Sequence, residues 1–310
     1  MSTFDPDALE CLAAIVEEGG FERAAQRLSI TQSAVSQRLR ALESQVGTVL
    51  IVRSRPLNAT AAGQLLLKHT KMLRLLRADL ERDLQELAPS SLGGAREEER
   101  ISIAINADSI ATWALQALTG LARQGLPMEI ITDDQDFTHE WLREGQVLGC
   151  VTTLKQALRG CRVAPLGAME YIAIAAPAFA QARLGAQGLL TAHNFRDVPF
   201  VAFNRKDDMQ AEFVGKAFGL KRVTLNQLFV PSSEGQVRAV LAGWGVSVVP
   251  RLLAQGLLEQ GQLVNVAPAH TLPIQLYWHC WNLASEVLDA LTAALKQAAG
   301  AALATADGRP

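Results

Sequence analysis

The chain has 310 residues, enough for two or three domains with real cores. Its net charge is −2, so any strongly basic segment must be offset by acidic sequence elsewhere. No apolar run approaches the roughly 18 residues a membrane helix needs, and the amino terminus, with Asp5, Asp7 and Glu10, lacks a basic-then-apolar export signal. A soluble cytoplasmic protein is expected. Cys11, Cys150, Cys161 and Cys280 form no CxxC pair, which fits a reducing compartment and argues against a metal site.

The first informative stretch is residues 20–63. FERAAQRL places Phe21, Ala24, Ala25 and Leu28 at spacings of three and four, one buried helical face. Ser29 and Ile30 form a turn, and Thr31 can cap a second helix. That helix is expected to bury Ala34, Val35, Leu39, Leu42 and Val46. It leaves Gln32, Ser33, Ser36, Gln37, Arg38 and Arg40 to solvent. Small and amide side chains at the start of an exposed helix suit a major groove, where they meet base edges. An ordinary two-helix hairpin inside a core is the competing reading, but charge speaks against it. Residues 20–77 hold ten basic side chains against only Glu22 and Glu43, a net of +8. Such a field on a near-neutral chain is what phosphate contact requires. An arginine-bearing hairpin with Arg53 and Arg55 follows.

Next, Leu66, Leu73, Leu80 and Leu87 repeat every seven residues, with Leu76 and Leu84 nearby. This is the mark of a helix that pairs with another helix. Packing on its own domain is the alternative. PSSLGGAREEER, residues 89–100, then reads as a linker.

From residue 101, short β-branched runs such as ISIAIN, MEIIT, YIAIAAP and VPFVAF alternate with helical segments. That pattern predicts an α/β domain with a mostly parallel sheet. The tail QAAGAALATADGRP is low-complexity and expected to fray.

Ligands of open α/β sheets sit beyond the carboxyl ends of strands. Three places qualify. Asn106, Asp108 and Ser109 follow ISIAI, with simple helix capping as the alternative. Thr132, Asp133 and Asp134 follow MEIIT, where a solvated acidic loop is the alternative. Asp207 and Asp208, after VAFN, pair with Ser233 and Glu234, which could merely open a helix. Together they predict a cleft lined with carboxylates, which favours a cationic ligand. The five tryptophans read mainly as core. The histidines show no paired spacing for a metal. No GxSxG, phosphate loop or GxGxxG appears, so neither an enzyme nor a cofactor is expected.

The pattern FxRAAxRLxxxQSAVSxxxxxLExxxG, with an Arg-bearing wing ending in Thr and Gly, is specific at this length. Residues 5–90 resemble the winged helix-turn-helix of LysR-type transcriptional regulators. INADSIATW, VAFNRKDDM and LYWH make the chain look most like the members that sense lysine and arginine. Two departures stand out: Leu50-Ile51-Val52 replaces the usual Leu-Phe of the wing, and Gln37 stands where many relatives carry Arg.

The resemblance implies an all-α winged helix-turn-helix domain (1–62) and a dimerisation linker helix (63–88). A hinge (89–100) leads to an α/β effector domain of two periplasmic-binding-protein-like subdomains (101–297), with crossovers near 165 and 270 and a tail at 298–310. It implies double-stranded DNA, a basic amino acid, a second copy of the chain in a dimer or tetramer, and RNA polymerase as partners. Thr31, Gln32, Ser33, Ser36, Gln37, Arg38, Arg53 and Arg55 are the expected DNA contacts. Control of a basic amino acid exporter, or of related metabolism, is the expected role.

Overall fold

A computed structural model describes residues 4–52, 57–87, 100–133 and 138–304. It opens with three helices, α1 (Pro6–Glu17), α2 (Phe21–Arg27) and α3 (Gln32–Val46). Asp5 caps α1 and Thr31 caps α3, the latter accepting from the Ala34 amide at 3.2 Å. The tight turn before α3 puts Ser29 at φ 54°, a left-handed conformation. Gly47, at φ 80°, ends α3. Leu12, Ile15, Ala24, Val35, Leu39 and Leu42 close the core between these helices. Ala34 and Val46, expected inside, are half-buried.

A two-stranded wing follows, β1 (Ile51–Val52) antiparallel to β2 (Asn58–Ala59). Thr60 then caps the long helix α4 (Ala61–Leu87): its hydroxyl donates to the Val49 carbonyl and accepts from the Gly63 amide. A side chain at position 63 would collide with the Leu50 carbonyl, so glycine lets α4 lie against the wing. The helix therefore starts two residues before the expected linker boundary. Leu66 and Leu67 join the amino-terminal core, whereas Leu75 joins the core of the next domain. Leu73, Leu76, Leu80 and Leu84 stay exposed.

The carboxy-terminal domain begins with β3 (Ile101–Asn106), α5 (Ala107–Ser109), a π-helical turn (Ile110–Ala114) and α6 (Leu115–Arg123). Next come β4 (Met128–Asp133), α7 (Thr138–Arg143), β5 (Gly149–Thr152), β6 (Cys161–Ala175) and α8 (Pro177–Arg183). The chain continues through β7 (Pro199–Ala202), α9 (Met209–Phe218), β8 (Asn226–Phe229), α10 (Ser233–Leu241), β9 (Ser247–Pro250) and α11 (Arg251–Glu259). It closes with β10 (Val264–Asn265), β11 (Leu272–Trp281) and α12 (Glu286–Ala302).

The main sheet runs β10-β6-β11-β5-β3-β4, with β9 also on β6, and β7 pairs with β8 separately. It is mixed, not mostly parallel. β3 is parallel to β4 and β5, and β7 to β8, but β6 and β11 are antiparallel to every partner they have. The reason is that β6 and β11 are long and carry the chain out and back. A register shift between Leu276 and Tyr277, opposite Gly167 at φ 128°, bends the pair midway.

Two further expectations are corrected. Residues 298–302 continue α12, and Ala304 bridges to Ala168, so this stretch is built into the fold and not frayed. Leu295, Ala299 and Leu303 anchor it in the core. Trp113, Trp278 and Trp281 are core, but Trp244 is 52% exposed.

Candidate functional site

Two sites emerge. On α3, Gln32, Ser33 and Gln37 are exposed and Ser36 is half-buried, all near the start of the helix. Thr31 spends its hydroxyl on the cap. Arg38 is held: its guanidinium lies 3.0 Å from the Asp7 carboxylate of α1, near the buried Cys11 thiol. Burial pushes the Cys11 thiol up, against the opposing effect of Arg38. Arg53 and Arg55 lie outside the described residues.

The second site is a cleft, open to solvent, beyond the carboxyl end of β3. Asn106, Ala107 and Asp108 form one wall and Tyr171 of β6 another. Phe203, Lys206, Asp207 and Asp208 come from the turn after β7, and Met209, Gln210 and Glu212 from α9. Gln236 and Val248 complete it. These residues include four carboxylates and one lysine, and Glu212 is already paired with Lys216 at 2.6 Å.

The polar groups have separate tasks. Asp207 takes the Phe203 and Met209 amides on its two oxygens, at 2.8 and 2.9 Å, which shapes the turn. Gln210 pairs with both backbone groups of Val248 and ties α9 to β9. Asp108 accepts from the Tyr171 hydroxyl at 2.6 Å. Desolvation raises the Asp108 carboxyl above the usual carboxylate range. The Ser233 and Tyr171 hydroxyls oppose this, and the Asp207 charge adds to it. The Ser233 hydroxyl is buried beside that carboxyl but falls short of full hydrogen-bond geometry. The Asn106 side-chain oxygen is buried at the cleft with no partner.

Of the expected effector residues, the structure gathers Asn106, Asp108 and Asp208, with Ser233 behind Asp108. Three do not line the cleft. Ser109 is fully buried beneath it, because the helical turn after β3 points its side chain inward. Thr132 is exposed on β4. Glu234 is exposed in the first turn of α10, where it complements the helix dipole. Asp133 ends β4 beside Asn106 in register, and Asp134 lies outside the described residues. Sequence reasoning missed Tyr171, Lys206, Gln210, Glu212 and Gln236. Tyr171 sits inside an apolar strand, so only the pairing of that strand reveals where it points.

The comparisons with known proteins decide the family. Residues 6–64 match the bacterial regulatory helix-turn-helix protein model of the lysR family, and residues 94–300 match the LysR substrate binding domain. The chain belongs to the LysR family of DNA-binding transcriptional regulators. It is 41% identical over 297 residues to the HTH-type transcriptional regulator LysG of Mycobacterium bovis, covering 95% of this chain and 93% of that one. It is 40% identical over 309 residues to the regulator ArgP of Pseudomonas aeruginosa, covering 99% and 100%. The crystal structure of ArgP from Mycobacterium tuberculosis superposes with a TM-score of 0.82 at 38% identity, covering 98% of this chain and 100% of that one. Full-length LysG of Corynebacterium glutamicum with bound effector Arg gives 0.74 at 34% identity, covering 97% and 99%. As a LysR-type regulator, the chain carries a helix-turn-helix DNA-binding domain over residues 6–64, which contains α3, and a substrate-binding domain over residues 94–300. Among the described residues, no helix is long and apolar enough to cross a membrane.

Proposed function

We propose that this LysR-type regulator senses a basic amino acid, L-arginine or L-lysine, in the cleft between β3, β6 and α9. The observation that carries the reading is the acid at one cleft: Asp108 is enclosed there, Asp207 and Asp208 line it with Lys206, and Glu212, already paired with Lys216 at 2.6 Å, stands at its edge. The enclosed Asp108 is costly as an anion unless a cation neutralises it. The unpartnered Asn106 oxygen is a second acceptor for a ligand N–H. The arginine bound to the Corynebacterium glutamicum relative supports the same class.

Gln32, Ser33, Ser36 and Gln37 would read base edges, while Arg38, Arg53 and Arg55 hold phosphates or enter the minor groove. The exposed leucines of α4 pair two chains, so that two α3 helices reach two half-sites. The regulated gene is a basic amino acid exporter or related metabolism, with RNA polymerase as the downstream partner. Ligand binding shifts the subdomain arrangement only through different affinity for its two states.

A thermal-shift screen with arginine, lysine, ornithine and neutral amino acids tests the effector. Ligand at about 100 times its dissociation constant adds roughly 2.7 kcal/mol. Shifts confined to the basic set are expected. A flat response to them withdraws the assignment.

A further inference from the structure

Asp108 is an enclosed acid of the cleft, and several groups around it are identifiable among the described residues. From β6 the Tyr171 hydroxyl donates to it at 2.6 Å. From α10 the Ser233 hydroxyl lies beside it. From the turn before α9 comes the Asp207 carboxylate, and Lys206, Asp208 and Glu212 line the same cleft. A carboxylate so enclosed, near a second one, gains by keeping a proton until a cation arrives.

We infer that the effector enters in exchange for a proton: Asp108 is protonated in the ligand-free cleft and releases that proton when the ligand's cationic group docks, with Tyr171 positioning the carboxyl. The inference rests on the basic amino acid reading. Arginine and lysine arrive already charged, so no proton passes between ligand and protein. The Asp108 O–H bond breaks, the proton goes to buffer, and the ligand cation replaces it.

The direction of the Asp108 shift agrees, since burial favours the neutral acid. Two consequences have fixed signs. Affinity rises with pH while Asp108 ionises in the ligand-free protein and then flattens. Without ligand, the folded chain binds the proton more tightly than the unfolded one, so this stabilisation is full below the ordinary carboxylate range. It is lost as pH rises through the folded value.

The test is calorimetry of the full chain with L-arginine, at one pH, in phosphate and in Tris. These buffers differ in ionisation heat, so proton release appears as a buffer-dependent signal. The expected result is different heats in the two buffers, with affinity rising as pH climbs above the ordinary carboxylate range and then levelling. Tyr171→Phe removes a donor that favours the ionised form, so the midpoint should move to higher pH. A merely structural role would weaken binding equally at every pH. Arginine binding with equal heats and a flat pH profile overturns the inference and leaves the effector reading intact. Absence of binding by both arginine and lysine overturns the reading and the inference with it. A ligand-free check is independent: the melting temperature of Asp108→Asn relative to the natural chain should rise with pH. Parallel profiles contradict a bound proton.

Discussion

Arg38 shows how one side chain is prepared for its role. A free arginine loses rotamer entropy when it meets a phosphate. Here the Asp7 carboxylate already holds the guanidinium, which stays partly open to solvent. The exposed ion pair itself contributes little to folding, because solvent screens it. Arg38→Ala should therefore leave the melting temperature nearly unchanged and weaken DNA binding across sequences. The slope of log affinity against log salt should fall by about one unit, as read by fluorescence anisotropy at several salt concentrations. An unchanged slope would make Arg38 a link between α1 and α3 alone.

At the scale of elements, α4 divides its surface. Leu66 and Leu67 serve the amino-terminal core and Leu75 the effector-domain core, while among the described residues Leu73, Leu76, Leu80 and Leu84 remain exposed. Spacings of three and four place these leucines on one face. Changing Leu73 and Leu80 together to Glu should shift sedimentation toward monomer and lower DNA affinity at least about tenfold, since paired half-site reading is lost. The helix-turn-helix was legible in the sequence because its cap, turn and buried spacing are local. The sheet was not. The alternation of strands and helices argued for parallel pairing, but the long β6 and β11 pair across a gap of about 110 residues. The tail misled for a related reason: small residues that look frayed, such as Ala299, pack tightly against the domain core.

The cleft is a property of the whole molecule. It exists only where the end of β3, the middle of β6, the turn into α9 and the α10–β9 region converge. Asn106, Asp108 and Asp208 were legible because they stand after β-branched runs. Tyr171, Lys206 and Glu212 were not, because nothing in their own neighbourhoods marks them. Thr132 and Glu234 satisfied the same local rule yet lie outside the cleft, while Tyr171 and Gln210 line it from within β6 and α9, so strand-end position is neither sufficient nor necessary. The central claim concerns charge, and it is tested most directly by comparing L-arginine with L-citrulline. The two differ by one nitrogen-for-oxygen exchange that removes the positive charge while keeping the length. Calorimetric titration of the full chain with each should show arginine binding at least about tenfold tighter, the scale of one charge-assisted hydrogen bond. Citrulline binding as tightly as arginine, or neither binding, would contradict a cleft built to neutralise a cation.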